Sequence, residues 1–184
     1  PFCLAEKQGK GVITSARDIG FNIVAPYVCD FLIWFLKKIK EIGTDHILFG
    51  ARDGYLMKQL YELAVKKLGL RGMPDGTYLY VSRLASLVNS INGDEDIRAA
   101  SKPSFGGGME DLLINRFLLE PWEVEAYDYE KMEDRDTYVL RHKDRILKRA
   151  EECRECYKTY IDKLNLTGFE NIAFFDLAAS GSCQ

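Results

Sequence analysis

An α/β fold built on a parallel sheet is what this sequence predicts, and three short apolar runs predict it. His46-Ile47-Leu48-Phe49-Gly50 leads into Ala51-Arg52-Asp53-Gly54, Tyr78-Leu79-Tyr80-Val81 into Ser82-Arg83, and Ile172-Ala173-Phe174-Phe175 into Asp176-Leu177-Ala178-Ala179-Ser180-Gly181-Ser182. Each run has strand length and ends in turn residues, and a helical pattern separates the first from the second. Strand, helix, strand in that order implies a parallel pair joined by a right-handed crossover. The expected architecture is a three-layer fold in which residues 1–184 form a single α/β domain, with a helical insertion at about 92–166.

The elements follow in chain order. Ile23, Val24, Tyr27, Val28, Phe31, Leu32, Phe35, Leu36, Ile39 and Ile42 keep the i, i+3, i+4 rhythm of a helix from about residue 24 to 42. Pro26 suits its first turn, Lys37, Lys38 and Lys40 its negative dipole end, and Gly43 its stop. After the first strand, Leu56, Leu60, Leu63, Ala64, Val65 and Leu68 mark a second helix that Gly69 ends. Arg83 to Ile91 reads as a helix and Asn92 to Gly108 as a mobile loop. Met109 to about Leu119 reads as a short helix before a Pro121-Trp122 break, and Thr137 to Leu166 as a single helix that Gly168 closes ahead of the third strand.

Composition narrows the function classes. The chain has 184 residues, is 47% apolar and carries a net charge of −3, which suits a domain able to bury a proper core. Basic residues are scattered among a larger number of acids, so no phosphate-backbone footprint points to nucleic acid. The most apolar stretch, Tyr27 to Leu36, is interrupted by Asp30 and falls short of the roughly 20 residues a membrane span needs. It reads as a buried helix, and no membrane span is expected. Five cysteines cannot all pair within one chain, and no signal segment opens it, which points to free thiols in the cytoplasm. Both ends read as cut from a longer protein, whose neighbouring domains are expected partners.

Candidate chemistry lies at the strand ends. In open α/β sheets the crevice beyond the carboxyl ends of the strands collects loop amides and helix N-termini, which favour anions. Arg52 offers a planar fork that matches phosphate oxygens, and Gly54 allows close backbone approach at a helix start. Asp53 can hold a metal ion, accept a hydroxyl or pair with Arg83, or simply cap the helix. Ser82 suits an N-cap or a ligand hydroxyl, with Arg83 beside it. Ser180, Gly181 and Ser182 offer amides and hydroxyls that wrap a phosphate, while Asp176 can accept sugar hydroxyls or hold Mg2+. A phosphorylated small molecule is the expected ligand. Cys153-Arg154-Glu155-Cys156 has CxxC spacing but no second pair, and His46 and His142 are isolated, so zinc and triad chemistry are not expected.

Two resemblances attach to these residues. Ala51 to Gly54 and Phe174 to Cys183 resemble the pyrophosphate loop and the 5-phosphate loop of type I phosphoribosyltransferases, which implies a Rossmann-like sheet and transfer from a sugar diphosphate. In that family two adjacent acids meet the ribose hydroxyls; Phe175 and Asp176 stand there in this chain. Gly20-Phe21, Phe49 to Gly54, Tyr80 to Arg83, and Asp176 with Ser180 to Gln184 resemble the region after the hydrolase module in predicted haloacid dehalogenase-superfamily proteins of bacterial surface-polysaccharide gene clusters. That resemblance implies a cytoplasmic bacterial protein linked to glycan assembly. The Asp-x-Asp nucleophile of those phosphatases is absent, because Leu177 and Ala178 follow Asp176, so phosphatase activity is not expected here. The alternative to transfer is a non-catalytic sensor or scaffold serving a neighbouring hydrolase or glycosyltransferase domain.

Overall fold

A computed structural model describes Ile13 and residues 15–176 of the chain. They form a mixed α/β structure with a three-stranded parallel sheet in the order β2-β1-β3. The strands are β1 (His46–Gly50), β2 (Asp75–Leu79) and β3 (Ile172–Phe175). Among the described residues the chain divides into two compact units, one ending at Tyr78 and rejoined by Phe169–Phe175, the other running from Leu79 to Gly168 with Asp176.

The first unit opens on helix α1, Ala16–Glu41, which starts earlier than the apolar rhythm predicts. Its start is a capping box: the Ser15 hydroxyl accepts the Asp18 N–H at 3.2 Å, and the Asp18 carboxylate accepts the Ser15 N–H at 3.0 Å. Pro26 lies inside this helix rather than at its beginning. A proline there removes one backbone bond and crowds the preceding turn, and the turn just ahead of it, Gly20–Val24, is widened to π geometry. The expectation of a buried helix fails over most of α1. Phe35 and Ile39 are its buried residues, whereas Phe21, Tyr27 and Trp34 are more than half exposed. By length and composition alone, α1 is long and apolar enough to cross a membrane, and 6% of its most apolar window is buried.

Helix α2, Asp53–Leu68, connects β1 to β2 and ends as predicted, with Gly69 left-handed at φ 60°. Its Met57 and Tyr61 join Phe35 and Ile39 of α1 against Ile47, Phe49 and Phe175 of the sheet. The Phe35, Phe49 and Tyr61 rings lie within 6.2 Å of one another, so both helices press on the same face. On the opposite face Leu48 pairs in register with Phe174, which is exposed. The first unit therefore supplies two layers, and the third layer expected of the fold is not among its described elements. Beyond β3, Asp45 fastens the edge by accepting the N–H groups of Glu170 and Asn171 at 3.1 and 3.0 Å.

Strand β2 sits three residues earlier than Tyr78 to Val81 would place it. Asp75-Gly76-Thr77 reads as a turn, but Gly76 lies where the Phe49 ring needs room: a Cβ there would stand 2.5 Å from Phe49 Cε2. Thr77 meets His46, whose ring is stacked on Phe169 at 4.4 Å and bonded to the Thr77 hydroxyl at 2.9 Å.

The second unit is helical: α3 (Arg83–Asn89), α4 (Asp94–Ser101), α5 (Met109–Phe117), α6 (Arg135–Arg141) and α7 (Lys143–Lys163). Its core gathers Val88, Ile97, Leu113, Phe117, Tyr138, Ile146 and Ala150, so α3 belongs here rather than to the sheet. The loop expected over Asn92 to Gly108 is corrected to a helix and a fastened turn. Asp94, Glu95 and Asp96 occupy the first turn of α4, where acids favour the positive dipole end, and Ile97 and Ala100 anchor it in the core. The Arg116 guanidinium then donates to the carbonyls of Ala100, Ser101, Pro103 and Ser104 and lies over the Phe105 ring.

The single helix expected from Thr137 to Leu166 is broken at His142, where φ is −94° and ψ 10°. His142 is 1% exposed; its Nε2 accepts the Glu125 N–H at 3.0 Å and its Nδ1 donates to the Tyr138 carbonyl at 3.0 Å. That pairing requires the neutral ring, and burial holds its pKa below 6.5. Burial lowers His46 as well. The unfolded chain binds protons that the folded chain refuses, so stability present above about pH 6.5 is lost as pH falls. Urea midpoints are expected to drop between about pH 7 and 5.5, and His142→Gln is expected to reduce that slope to the part His46 contributes. Equal slopes in the two proteins would refute this role.

Candidate functional site

The loop after β1 departs from ordinary backbone at one residue. Arg52 has φ 68° and ψ −75°, close to the rare, strained γ-turn near φ +75°, ψ −65°. An arginine has no steric licence for that region, so the surrounding structure must impose it. The Tyr78 hydroxyl accepts the Arg52 N–H at 2.8 Å, and the Arg52 carbonyl accepts the Tyr55 N–H at 3.2 Å. Tyr78 is itself set edge-on against the Tyr55 ring at 5.8 Å. The strand neighbour thus holds the backbone of the loop while leaving its side chains outward.

Asp53 then opens α2, and Gly54 follows with no room for a side chain. A Cβ on Gly54 would lie 2.6 Å from the Phe49 carbonyl carbon, so the first turn of α2 rests directly on the end of β1. No side chain caps this helix, and its first N–H groups face the loop with the positive dipole end behind them. Arg52 and Asp53 are exposed and form no ion pair among the described residues. The result is one guanidinium, one carboxylate and an uncapped helix start, an arrangement able to hold an anion through the first and third and a hydroxyl or cation through the second.

The other expected residues divide. Strands β1 and β3 are parallel and in register through Phe49 and Phe175, so their carboxyl ends open at one edge, and Asp176 directly follows β3. Ser180, Gly181 and Ser182 lie outside the described residues. Ser82 and Arg83 belong to the second unit. The Ser82 hydroxyl accepts the Ala85 N–H at 3.1 Å as the N-cap of α3. Arg83 is exposed in the first turn of that seven-residue helix.

No group of three or more His, Cys, Asp or Glu is placed to hold a metal among the described residues. His46 and His142 are core residues, and Cys153 and Cys156 are thiols on α7. Burial pushes the Cys153 thiol above its usual pKa. Tyr78 is the residue that sequence reasoning missed. Its one signal was an aromatic side chain with a polar tip beside the strand that bears the loop. No protein-family model, curated protein or solved structure matches this chain.

Proposed function

We propose that this chain binds a phosphorylated sugar or nucleotide at the carboxyl edge of its sheet, through Arg52, Asp53 and the N–H groups at Gly54. Asp176, which directly follows β3 in sequence, and Ser180, Gly181 and Ser182 are the further ligand residues of this proposal. The observation that carries the reading is the left-handed Arg52 on an uncapped helix start. Strain of roughly 1–3 kcal/mol of this kind persists where geometry serves a ligand, and a guanidinium beside free helix amides is complementary to phosphate. The reaction we favour is transfer of the sugar from its diphosphate to an acceptor nucleophile, with Arg52 and the helix start stabilising the leaving pyrophosphate; Asp176 would be the residue to hold Mg2+, which would supply further charge neutralisation there. A role for that chemistry in glycan assembly in the cytoplasm is what the resemblance to proteins of bacterial surface-polysaccharide clusters would imply. The sequestering of both histidines in cores favours the second reading, a pocket that senses its ligand and serves neighbouring domains of a longer chain.

A thermal-shift screen of sugar phosphates, sugar diphosphates and nucleotides with Mg2+ tests the proposal. A ligand at 100 times its dissociation constant adds about 2.7 kcal/mol, a rise of about 5–10 °C at this chain length. No response to any phosphorylated compound would overturn it. A transferase releases pyrophosphate and loses that activity on Asp176→Asn; a sensor returns the ligand intact.

A further inference from the structure

Helix α1 and the Arg52 loop, both in the first unit, meet at the same edge of the sheet. α1 ends at Glu41, a short turn ahead of β1, so its last turns lie at the amino edge and the helix runs back across the sheet. Phe35 packs on Phe49 with ring centres 6.2 Å apart, and Phe31 reaches Phe175, the last residue of β3, at 5.8 Å. Phe31 thus stands level with the carboxyl edge. The residues of α1 before it, from Ala16 to Asp30, rise past that edge by roughly 20 Å at the helical rise per residue. Strand β1 ends at the same edge and delivers Arg52, Asp53 and Gly54 there.

The projecting turns carry Ile19, Phe21, Ile23, Val24 and Tyr27, all exposed. Phe21 and Ile23, two residues apart, point to opposite sides of the helix. A helix apolar on both sides belongs in a protein core or in lipid, and a single docked helix covers one side where fluid lipid wraps both. The charges favour lipid. Lys37 and Lys40 are exposed at the far end of α1, where they attract an anionic leaflet by about 1 kcal/mol each. Tyr27 and Trp34, both more than half exposed, have the amphipathic rings that settle at headgroup level. Crossing the bilayer would carry Asp30 through hydrocarbon at about 2.5–3.5 kcal/mol and strip Phe31 and Phe35 from the sheet, whereas lying in the interface avoids both. We infer that the phosphate site takes its ligand from a membrane surface: a phosphate-headed lipid whose head enters at Arg52 and Gly54 while the first half of α1 rests in the interface beside it. This rests on the phosphate reading above and names the class of ligand.

Trp34 reports the contact. The chain has two tryptophans, and Trp122, 81% exposed in the second unit, is replaced by phenylalanine. Vesicles of phosphatidylcholine carry either phosphatidic acid, a phosphomonoester headgroup, or phosphatidylglycerol at matched surface potential. Trp34 emission is expected to shift to the blue on both, with at least fivefold less lipid needed for phosphatidic acid. Arg52→Gly is expected to erase that preference. Ile23→Gln combined with Tyr27→Gln is expected to raise the lipid requirement at least tenfold and to leave pyrophosphate affinity in solution unchanged, which also shows that the variant folds. No blue shift, equal response to the two headgroups, or a preference that survives Arg52→Gly would each overturn the inference, and the phosphate reading stands if pyrophosphate still binds. Failure of pyrophosphate to bind removes both. A dimer in sedimentation that the double variant disperses would give the face to a second copy and overturn the inference as well.

Discussion

Gly54→Ala is expected to destabilise the first unit by about 3 kcal/mol, at the upper end of what overpacking costs. The added methyl group would meet the Phe49 carbonyl carbon at 2.6 Å, its Cβ at 2.8 Å and its Cα at 3.0 Å. These are backbone and near-backbone atoms of the central strand, so no rotamer change relieves the contact. Relief requires α2 to move off β1, which separates Met57 and Tyr61 from Phe49. The measurement is the urea midpoint followed by circular dichroism. Gly20→Ala is the control: nothing stands within 4 Å of a Cβ there, and the helical site favours alanine over glycine by up to about 1 kcal/mol. Equal midpoints for Gly54→Ala and the native chain would show that α2 does not bear on β1 as described.

Arg52→Gly is expected to move stability and binding in opposite directions. Glycine adopts φ 68° without steric cost, so the folded state gains about 1 kcal/mol. The guanidinium is lost at the same time. A charge-assisted bond to phosphate contributes about 1.5–3 kcal/mol, so affinity for pyrophosphate with Mg2+ is expected to fall at least tenfold by calorimetric titration. A variant that is more stable and binds as before would separate the strained loop from ligand recognition. A less stable variant would mean that the arginine side chain, rather than the ligand, justifies the conformation.

Elements whose cause is local were the legible ones. Gly69 and Gly43 stop their helices in left-handed conformation, and the Arg-Asp-Gly turn marked the junction of β1 with α2. Ser15 and Asp18 mark the start of α1 in the sequence too, whereas Pro26, a first-turn residue by its type, lies inside the helix because a π turn accommodates it. What escaped depends on contacts between distant segments. The break at His142 is invisible to a 3.6-residue period that continues through it, because the Glu125 N–H that accounts for it arrives from another stretch of chain. Asp75-Gly76-Thr77 is a strand only because β1 stands beside it and Phe49 fills the space a side chain would take. In the site, residue types were readable, whereas the Tyr78 bond that shapes Arg52 spans 26 residues and has no local signature.

The pairing of Asp45 with Asn171 has a consequence in time. These residues are 126 apart in sequence, and every helix of the second unit is made between them. At roughly 5–20 residues per second of synthesis, β1 waits about 6–25 s for β3 to leave the ribosome. Throughout that interval one flank of the central strand has unmet peptide groups next to the apolar rings of Phe35 and Phe49, a surface that invites wrong partners. The intervening helices close over short loops and need no such delay. Biogenesis is thus expected to run inward from the late-made segment, and a nascent chain halted before residue 169 is the form most in need of a chaperone.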